Sequence, residues 1–419
     1  MSETKKYTCT CESCAREFDD KEYEYTSDKD KCILHCKKDD WYRIPDRKLK
    51  DYNIELPKDW SFSKDKIDFF WNELSNIIKK STQENSKCNF NFVIFPQMVN
   101  SNIPKIKLLS FRKCIFLDYS DLSYFFSAKN LEINECIFYE NVDIKDKICK
   151  EQFFFQRNHV IKNIKLFNIE FQGTSSFILN KFKKELTFDG VRFNDCAMFN
   201  NSEIGNLFFR NTFFRKESNF LDIELSNVGS RETTRIIKNS FEQQNNIIEA
   251  NKFYALEMKE REKELEFNKE PFEWFVFKIH GLSSNHSQDW LLALYWILTL
   301  GFTFSLFNFY TLQVENKFIH FELSKVIGLF CLVFVGIFVD NICKKKGEKK
   351  SIFLLFYFYL LYTYETSDKF LTFFANTINP FSIMTGKDEL TFGTLIFKII
   401  IAYLIYQLII SIRQNTRRK

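Results

Sequence analysis

Five of the chain's twelve cysteines fall within residues 9–36, in the stretches CTCESC and KCILHC. Thiols at that density suit a metal site better than a disulfide framework, which belongs to small secreted chains, and this chain has 419 residues. Cys11 and Cys14 form one pair separated by two residues; seventeen residues later Cys32 and His35 form a second. That gap lies in the range of roughly 15–20 residues over which two such pairs close on one zinc ion. Three thiolates and one imidazole complete a tetrahedron with no position left for water. The expected cofactor is therefore a structural Zn2+ on Cys11, Cys14, Cys32 and His35. Cys36 is the alternative to His35, and Cys9 can substitute for a neighbour. A segment of this size buries too little apolar surface to fold unaided, and a metal supplies the missing free energy. The competing reading is a disordered, thiol-rich tail. Both charge signs run through the segment, so nucleic acid is not an expected partner.

Other chemistry is sparse. Neither GxxxxGK[ST] nor GxGxxG occurs, and the scarcity of glycine (11) and proline (6) argues against a glycine-rich phosphate loop. His280 and His286, in HGLSSNH, form no spaced catalytic motif; no catalytic residue and no enzyme activity are expected. Lys398 lies inside the last apolar run, where an ionisable side chain is a candidate to line a pore; snorkelling towards the nearby end is the plainer reading.

The elements that must position these groups are announced by a second pattern. Phe111 and Phe116 are five apart, as are Ile133 and Phe138, then Phe188, Phe193 and Met198, then Ile204, Phe209 and Phe214. Small or β-branched residues, among them Cys114, Ser120, Cys136, Val191, Cys196, Ser202 and Thr212, stand two before an apolar residue. A period of five matches neither helix nor strand and predicts a repeat architecture. These residues resemble the pentapeptide-repeat family, most closely in SDLSY (120–124) and NDCAMF (194–199). The resemblance covers about a third of the chain. It implies a right-handed, four-sided β-helix in which four pentapeptides make one coil, large apolar residues stack inside and small ones fill the corners. On that reading Cys114, Cys136 and Cys196 are packing residues. Residues 145–167 break the period and predict an insertion or a bulged coil. Gyrase-protecting members of that family are thought to mimic DNA, which requires an acidic surface; residues 90–225 carry 18 Lys/Arg against 16 Asp/Glu, which disfavours mimicry.

From residue 231 to 267 the spacing becomes helical, with Asn245-Asn246 as a turn, and predicts a hairpin that caps the rod or binds a protein partner. Four apolar segments follow, at 290–310, 323–342, 351–367 and 393–412, and are expected to span a bilayer. The basic stretches CKKKGEKK (343–350) and RQNTRRK (413–419) place both of their span ends in the cytoplasm, and with them the soluble region. MSETKKYTCTCESC lacks the apolar core of a signal peptide, in agreement. Trp274 and the phenylalanines of PFEWFVFKIHGL (271–282) suggest a helix lying in the membrane interface.

The expected fold class is thus mixed: a right-handed β-helix resembling pentapeptide repeats, a helical hairpin and an α-helical transmembrane bundle of about four spans. Its order is a zinc-ribbon-like module (1–45), helical linker (46–89), β-helix (90–228), amphipathic connector (229–270), interfacial helix (271–289), membrane region (290–412) and basic cytoplasmic tail (413–419). The expected function is a multi-pass protein of the bacterial inner membrane whose β-helix or connector binds a protein, with a homo-oligomer possible. The alternative is a gated pore, since multi-domain relatives of that family join such repeats to a two-helix ion-channel module. No TVGYG-like filter is present.

Overall fold

The structure is a computed structural model that describes residues 5–11, 14, 16–44, 57–84, 87–99, 104–315, 369–386 and 391–416. It divides into two units, Met1–Phe253 and Tyr254–Lys419.

The first unit is built on a β-solenoid of about six turns. In one coil, strand Asn130–Asn134 leads to Ile137–Phe138 and then to Val142–Cys149. Each strand pairs in parallel with its counterpart in the next coil: Leu109 with Leu131, Leu131 with Phe153, Val142 with Ile164. The interval is 22 residues in the central coils and 21 in the first and last, longer than the 20 that four pentapeptides would give. The extra residues explain why residues 145–167 look irregular to a fivefold template. Val142–Cys149 and Ile164–Phe171 in fact pair over seven positions without insertion. The register shift lies instead between Phe182 and Glu185.

The fivefold spacing marks corners. Lys113, Glu135, Arg157, Leu179 and Asn201 form a column of left-handed residues, φ 54° to 59°, and Asp146, Asn168, Gly190 and Asn211 form a second. A corner reverses the side-chain alternation, so the inward residues on either side are five apart: Phe111 and Phe116 straddle Lys113, and Phe188 and Phe193 straddle Gly190. Most of these corners carry a Cβ at a conformational cost of about 1–2 kcal/mol each. Ladder bonds offset it, since Lys113 N–H donates to Asn134 O and Glu135 N–H to Gln156 O at 3.0 Å. Met198 is not the inward residue its spacing suggests; its neighbour Phe199 is.

Immediately after the first corner column stand Cys114, Cys136, Asn158, Asn180 and Ser202, all buried. Each side chain after the first takes a backbone N–H from the preceding coil: Cys136 Sγ from Cys114, Asn158 Oδ1 from Cys136 (2.8 Å), Asn180 Oδ1 from Asn158 (2.8 Å), Ser202 Oγ from Asn180. This interior column supplies acceptors where the corner leaves the ladder one short. Asn158→Leu strands the Cys136 N–H and is expected to lower stability by about 1–3 kcal/mol. Asn158→Ser, which copies position 202, should cost less; urea unfolding of the two variants makes the comparison. Cys196 differs from Cys114 and Cys136: it is exposed, outside the core.

Stacked phenylalanines fill the interior. Phe95, Phe116 and Phe138 repeat at 4.4 Å, and Phe177, Phe199 and Phe220 at 5.2 and 4.9 Å. Helices close both ends. Before the first coil, helix α2 (Lys64–Gln83; a short α1 covers Asp20–Tyr25) sets Phe70 and Trp71 against Phe95, and the Trp71 indole donates to Gln97 O. After the last, helix α3 (Arg231–Gln243) buries Ile237 and Phe241, and Thr233 Oγ1 accepts the Phe209 N–H. Asn245, at φ 57°, separates it from α4 (Ile247–Glu264).

The second unit contains α5 (Pro271–Ser284), α6 (Trp290–Glu315), α7 (Lys369–Ile378) and α8 (Phe392–Thr416). Phe304 of α6 stacks on Phe397 of α8 at 3.9 Å, and the missing Cβ of Gly301 admits Ile378 of α7. Among the described residues only α8, with mean hydropathy 2.3, is long and apolar enough to cross a membrane. The expected segments 323–342 and 351–367, and the basic stretch 343–350, lie outside the described residues, so a four-span bundle is not supported.

Candidate metal centre

Two short segments converge in the N-terminal part of the first unit. Strands β1 (Tyr7–Thr8) and β2 (Glu17–Phe18) pair antiparallel, and Cys9 N–H extends the pairing to Arg16 O at 2.9 Å. This brings Cys9 back beside Cys14. Across from them Cys32 opens a tight turn whose carbonyl accepts the N–H groups of both His35 and Cys36 at 3.0 Å. Thr10 N–H donates to Asp30 O and fastens the two segments together. The ligand atoms of Cys9, Cys14, Cys32 and His35 then all lie within 4.8 Å of one another.

The sulfurs and imidazole are in mutual contact. Cys14 Sγ is 3.8 Å from Cys32 Sγ, Cys32 Sγ 3.1 Å from His35 Nδ1, and Cys9 Sγ 3.9 Å from His35 Nδ1. His35 Nε2 is 2.9 Å from Asn91 O, a pure acceptor, so Nε2 carries the hydrogen and Nδ1 presents its lone pair to the thiols. Contact with Cys14 and burial push the Cys32 thiol up to about 12, while the same contact lowers Cys14. Crowded thiols of this kind ionise when a cation takes the place of their protons. The donor set fits a metal ion.

Three of the four residues expected from the spacing, Cys14, Cys32 and His35, are brought together. Cys11 is not: its carbonyl accepts the Cys14 N–H in the turn and its side chain is half exposed, whereas Cys9, named only as a substitute, is buried and inside the cluster. The signal that could have found Cys9 is the hairpin, since the residue that extends a strand pair is held more firmly than one in the turn. Cys36 faces away from the cluster, its Sγ 3.6 Å from Ile33 O and 4.0 Å from Lys38 Nζ.

Support comes from buried charge. The Lys38 ammonium donates to Ile33 O and Cys36 O at 3.0 and 3.1 Å and faces the Trp41 and Phe70 rings; burial lowers its pKa to about 8. Glu22, also buried, accepts the Ile33 N–H and two bonds from Arg16, which reaches Glu73 of α2 as well. The second turn is also tied to the solenoid, where Ile94 N–H donates to Leu34 O at 3.0 Å.

Lys398 of α8 bonds to the end of α7. It is buried, and its ammonium donates to Asn376 O, Thr377 O and Asn379 O and to Ser382 Oγ, at 2.7–3.0 Å, closing the C-terminal end of α7. Comparison with known proteins finds no family model, no curated protein and no solved structure that matches the chain.

Proposed function

We propose that the chain is a membrane-attached scaffold: a zinc-stapled β-solenoid presents a surface to a protein partner and apolar helices hold it at a bilayer. The observation that carries this reading is α8. Its buried face is Phe397, Lys398, Ile401, Leu404, Gln407 and Ser411, while Ile399, Tyr406, Ile409 and Ile412 are exposed along its length. Such a surface is costly in water and neutral in hydrocarbon. Helix α5 supports it with a second exposed apolar stripe, Phe272, Phe275, Val276 and Leu282, suited to the interface. Zinc is the metal that three thiolates and an imidazole in a closed, buried set favour. The solenoid's outer cations support a protein partner over nucleic acid, because many are paired across coils: Arg112 with Glu135, Lys181 with Glu203, Lys216 with Asp195. The membrane is proposed to be the bacterial inner membrane, with the solenoid cytoplasmic, and no catalytic role is assigned. Full-length protein should stay with the bilayer fraction through alkaline carbonate extraction; release into the supernatant would overturn the membrane assignment.

One observation favours the pore as a second reading. The buried ammonium of Lys398 sits inside an apolar helix and holds the C-terminal end of α7, and ionisable groups within apolar helices mark ion pathways. Current across planar bilayers, compared between the native chain and Lys398→Met, tests it: a lysine-dependent conductance establishes a pore, and a silent bilayer after verified reconstitution removes it.

A further inference from the structure

The α5–α6 corner in the second unit contains a chain of polar side chains that neither the metal centre nor the membrane reading uses. Ser287 Oγ lies 3.0 Å from His280 Nε2, His280 Nδ1 lies 3.4 Å from His286 Nδ1, and His286 Nε2 lies 3.2 Å from Glu262 Oε2. At the far end Ser287 Oγ is 3.3 Å from Gln407 Oε1 of α8, which also accepts from Ser284 Oγ at 3.0 Å. His286, Ser284 and Ser287 are almost wholly buried. The backbone holds them in an unusual way: Asn285, His286 and Ser287 are three consecutive non-glycine residues at φ 50°, 55° and 65°. Strain of this kind persists where surrounding contacts over-determine it, and it concentrates at functional sites. Gly281 is part of the same arrangement, since a Cβ there would stand 3.1 Å from Glu262 Oε2 and 3.2 Å from His286 Nε2.

Hydrogen-bond chemistry fixes the direction of the chain. Glu262 is paired with the Lys278 ammonium at 2.5 Å, so its carboxylate is ionised and only accepts. His286 must therefore carry hydrogen on Nε2, and a neutral His286 has a bare Nδ1. His280 must then donate from Nδ1, which leaves its Nε2 to accept the Ser287 hydroxyl. With one added proton a single rearrangement keeps the chain from Glu262 to Ser287 intact. His286 becomes an imidazolium that donates from both nitrogens, His280 moves its hydrogen from Nδ1 to Nε2 and donates to Ser287 Oγ, and the Ser287 hydroxyl turns to Gln407 Oε1. A second proton would leave two N–H groups facing each other across 3.4 Å. We propose that Ser287, His280, His286 and Glu262 form a proton-binding relay, in which one proton reverses the Ser287–His280 and His280–His286 hydrogen bonds and turns the Ser287 hydroxyl onto Gln407 Oε1 of α8, and a second breaks the contact between the two imidazoles.

The charged groups that face the imidazoles are Glu262 and Lys259 from α4 and, through Glu262, Lys278 from α5; α8 contributes the neutral Gln407. Burial, with the neighbouring His286, lowers His280; burial also lowers His286, against the pull of Glu262. Both imidazoles therefore bind fewer protons folded than unfolded. The corner is at full strength above the ordinary histidine value of about 6.5 and weakens as pH falls through the lowered folded values.

The test is solid-state NMR of the full-length chain in liposomes, with histidine labelled in both ring nitrogens; the chain has five histidines. At pH 8 His280 should carry its hydrogen on Nδ1 and His286 on Nε2. Below about pH 6.5, His286 should become doubly protonated in the same step in which His280 switches to Nε2. Independent titration of the two rings, or a His280 that keeps Nδ1–H once His286 is charged, overturns the relay. Glu262→Gln, which removes the carboxylate at the outer end, should move the coupled step to lower pH; an unmoved step also overturns it. Neither outcome depends on whether the chain conducts or scaffolds.

Discussion

Cys9→Ser is expected to reduce bound zinc from one equivalent per chain to almost none, while Cys11→Ser leaves it nearly unchanged, as read by elemental analysis after gel filtration. The two residues stand two apart in CTCESC and are chemically identical, so the difference isolates geometry. Cys9 is buried with its sulfur 3.9 Å from His35 Nδ1 and accepting the Cys32 N–H, and Cys11 occupies the turn. Structural zinc contributes about 10–16 kcal/mol to folding in small modules, so loss of one thiolate in a set of four removes more stability than most core truncations. The effect should extend into the solenoid. The Cys32–Cys36 turn delivers His35 to Asn91 O and Leu34 O to the Ile94 N–H, and both partners belong to the first coil. Chelation of the native chain and Cys32→Ser should therefore expose residues 16–44 to protease and lower the melting temperature, with Cys11→Ser close to native. Zinc lost from Cys11→Ser and kept by Cys9→Ser would reverse the assignment.

That comparison also shows what a sequence can and cannot specify. Donor types and spacing were enough to place Cys14, Cys32 and His35 at one centre, because two short turns separated by about 17 residues can close on an ion in few ways. Which flanking thiol joins them depends on where strand pairing stops, and a pair of two-residue strands leaves little trace in composition. The solenoid was legible for a related reason. An inward residue on each side of a left-handed corner gives a spacing of five whatever the length of the coil. The coil length itself was hidden, because the residues that make it 21 or 22 lie on sides whose alternation is ordinary. Asn158 and Asn180 read as polar interruptions and are interior acceptors. Lys398 read as a pore or snorkelling candidate; its partners are carbonyls about twenty positions earlier, a pairing that no local pattern encodes. His280 and His286 stood six apart with no motif around them, and only the left-handed turn between α5 and α6 turns their Nδ1 atoms towards each other.

Phe177→Ala is expected to cost about 3–5 kcal/mol, measured by urea unfolding, while Phe213→Ala should stay within roughly 0.5 kcal/mol of native. Both are phenylalanines of the solenoid; they differ in what surrounds them. Phe177 is 1% exposed and touches Phe153, Phe155, Phe171, Phe188, Phe193 and Phe199, with ring centroids 5.2–6.5 Å away, in stacked, tilted and edge-on arrangements. Phe213 points outward and is 61% exposed. Truncating Phe177 removes the transfer free energy of a buried ring and leaves a cavity that two ladders of hydrogen-bonded backbone cannot close, since the strands on either side are fixed in register by their neighbours: Ser175 with Phe153 and Ala197, Lys181 with His159 and Glu203. Because coils contact only adjacent coils, the damage should be greatest around residues 153–204 and should reach the ends through loss of cooperativity. Amide exchange resolved by segment would then show the central coils opening before the end that carries the Cys/His cluster. Equal costs for Phe177→Ala and Phe213→Ala would mean that the column is not a packed interior. In that case the stability of the solenoid would have to reside in its backbone ladders and in the Cys114 to Ser202 acceptor column.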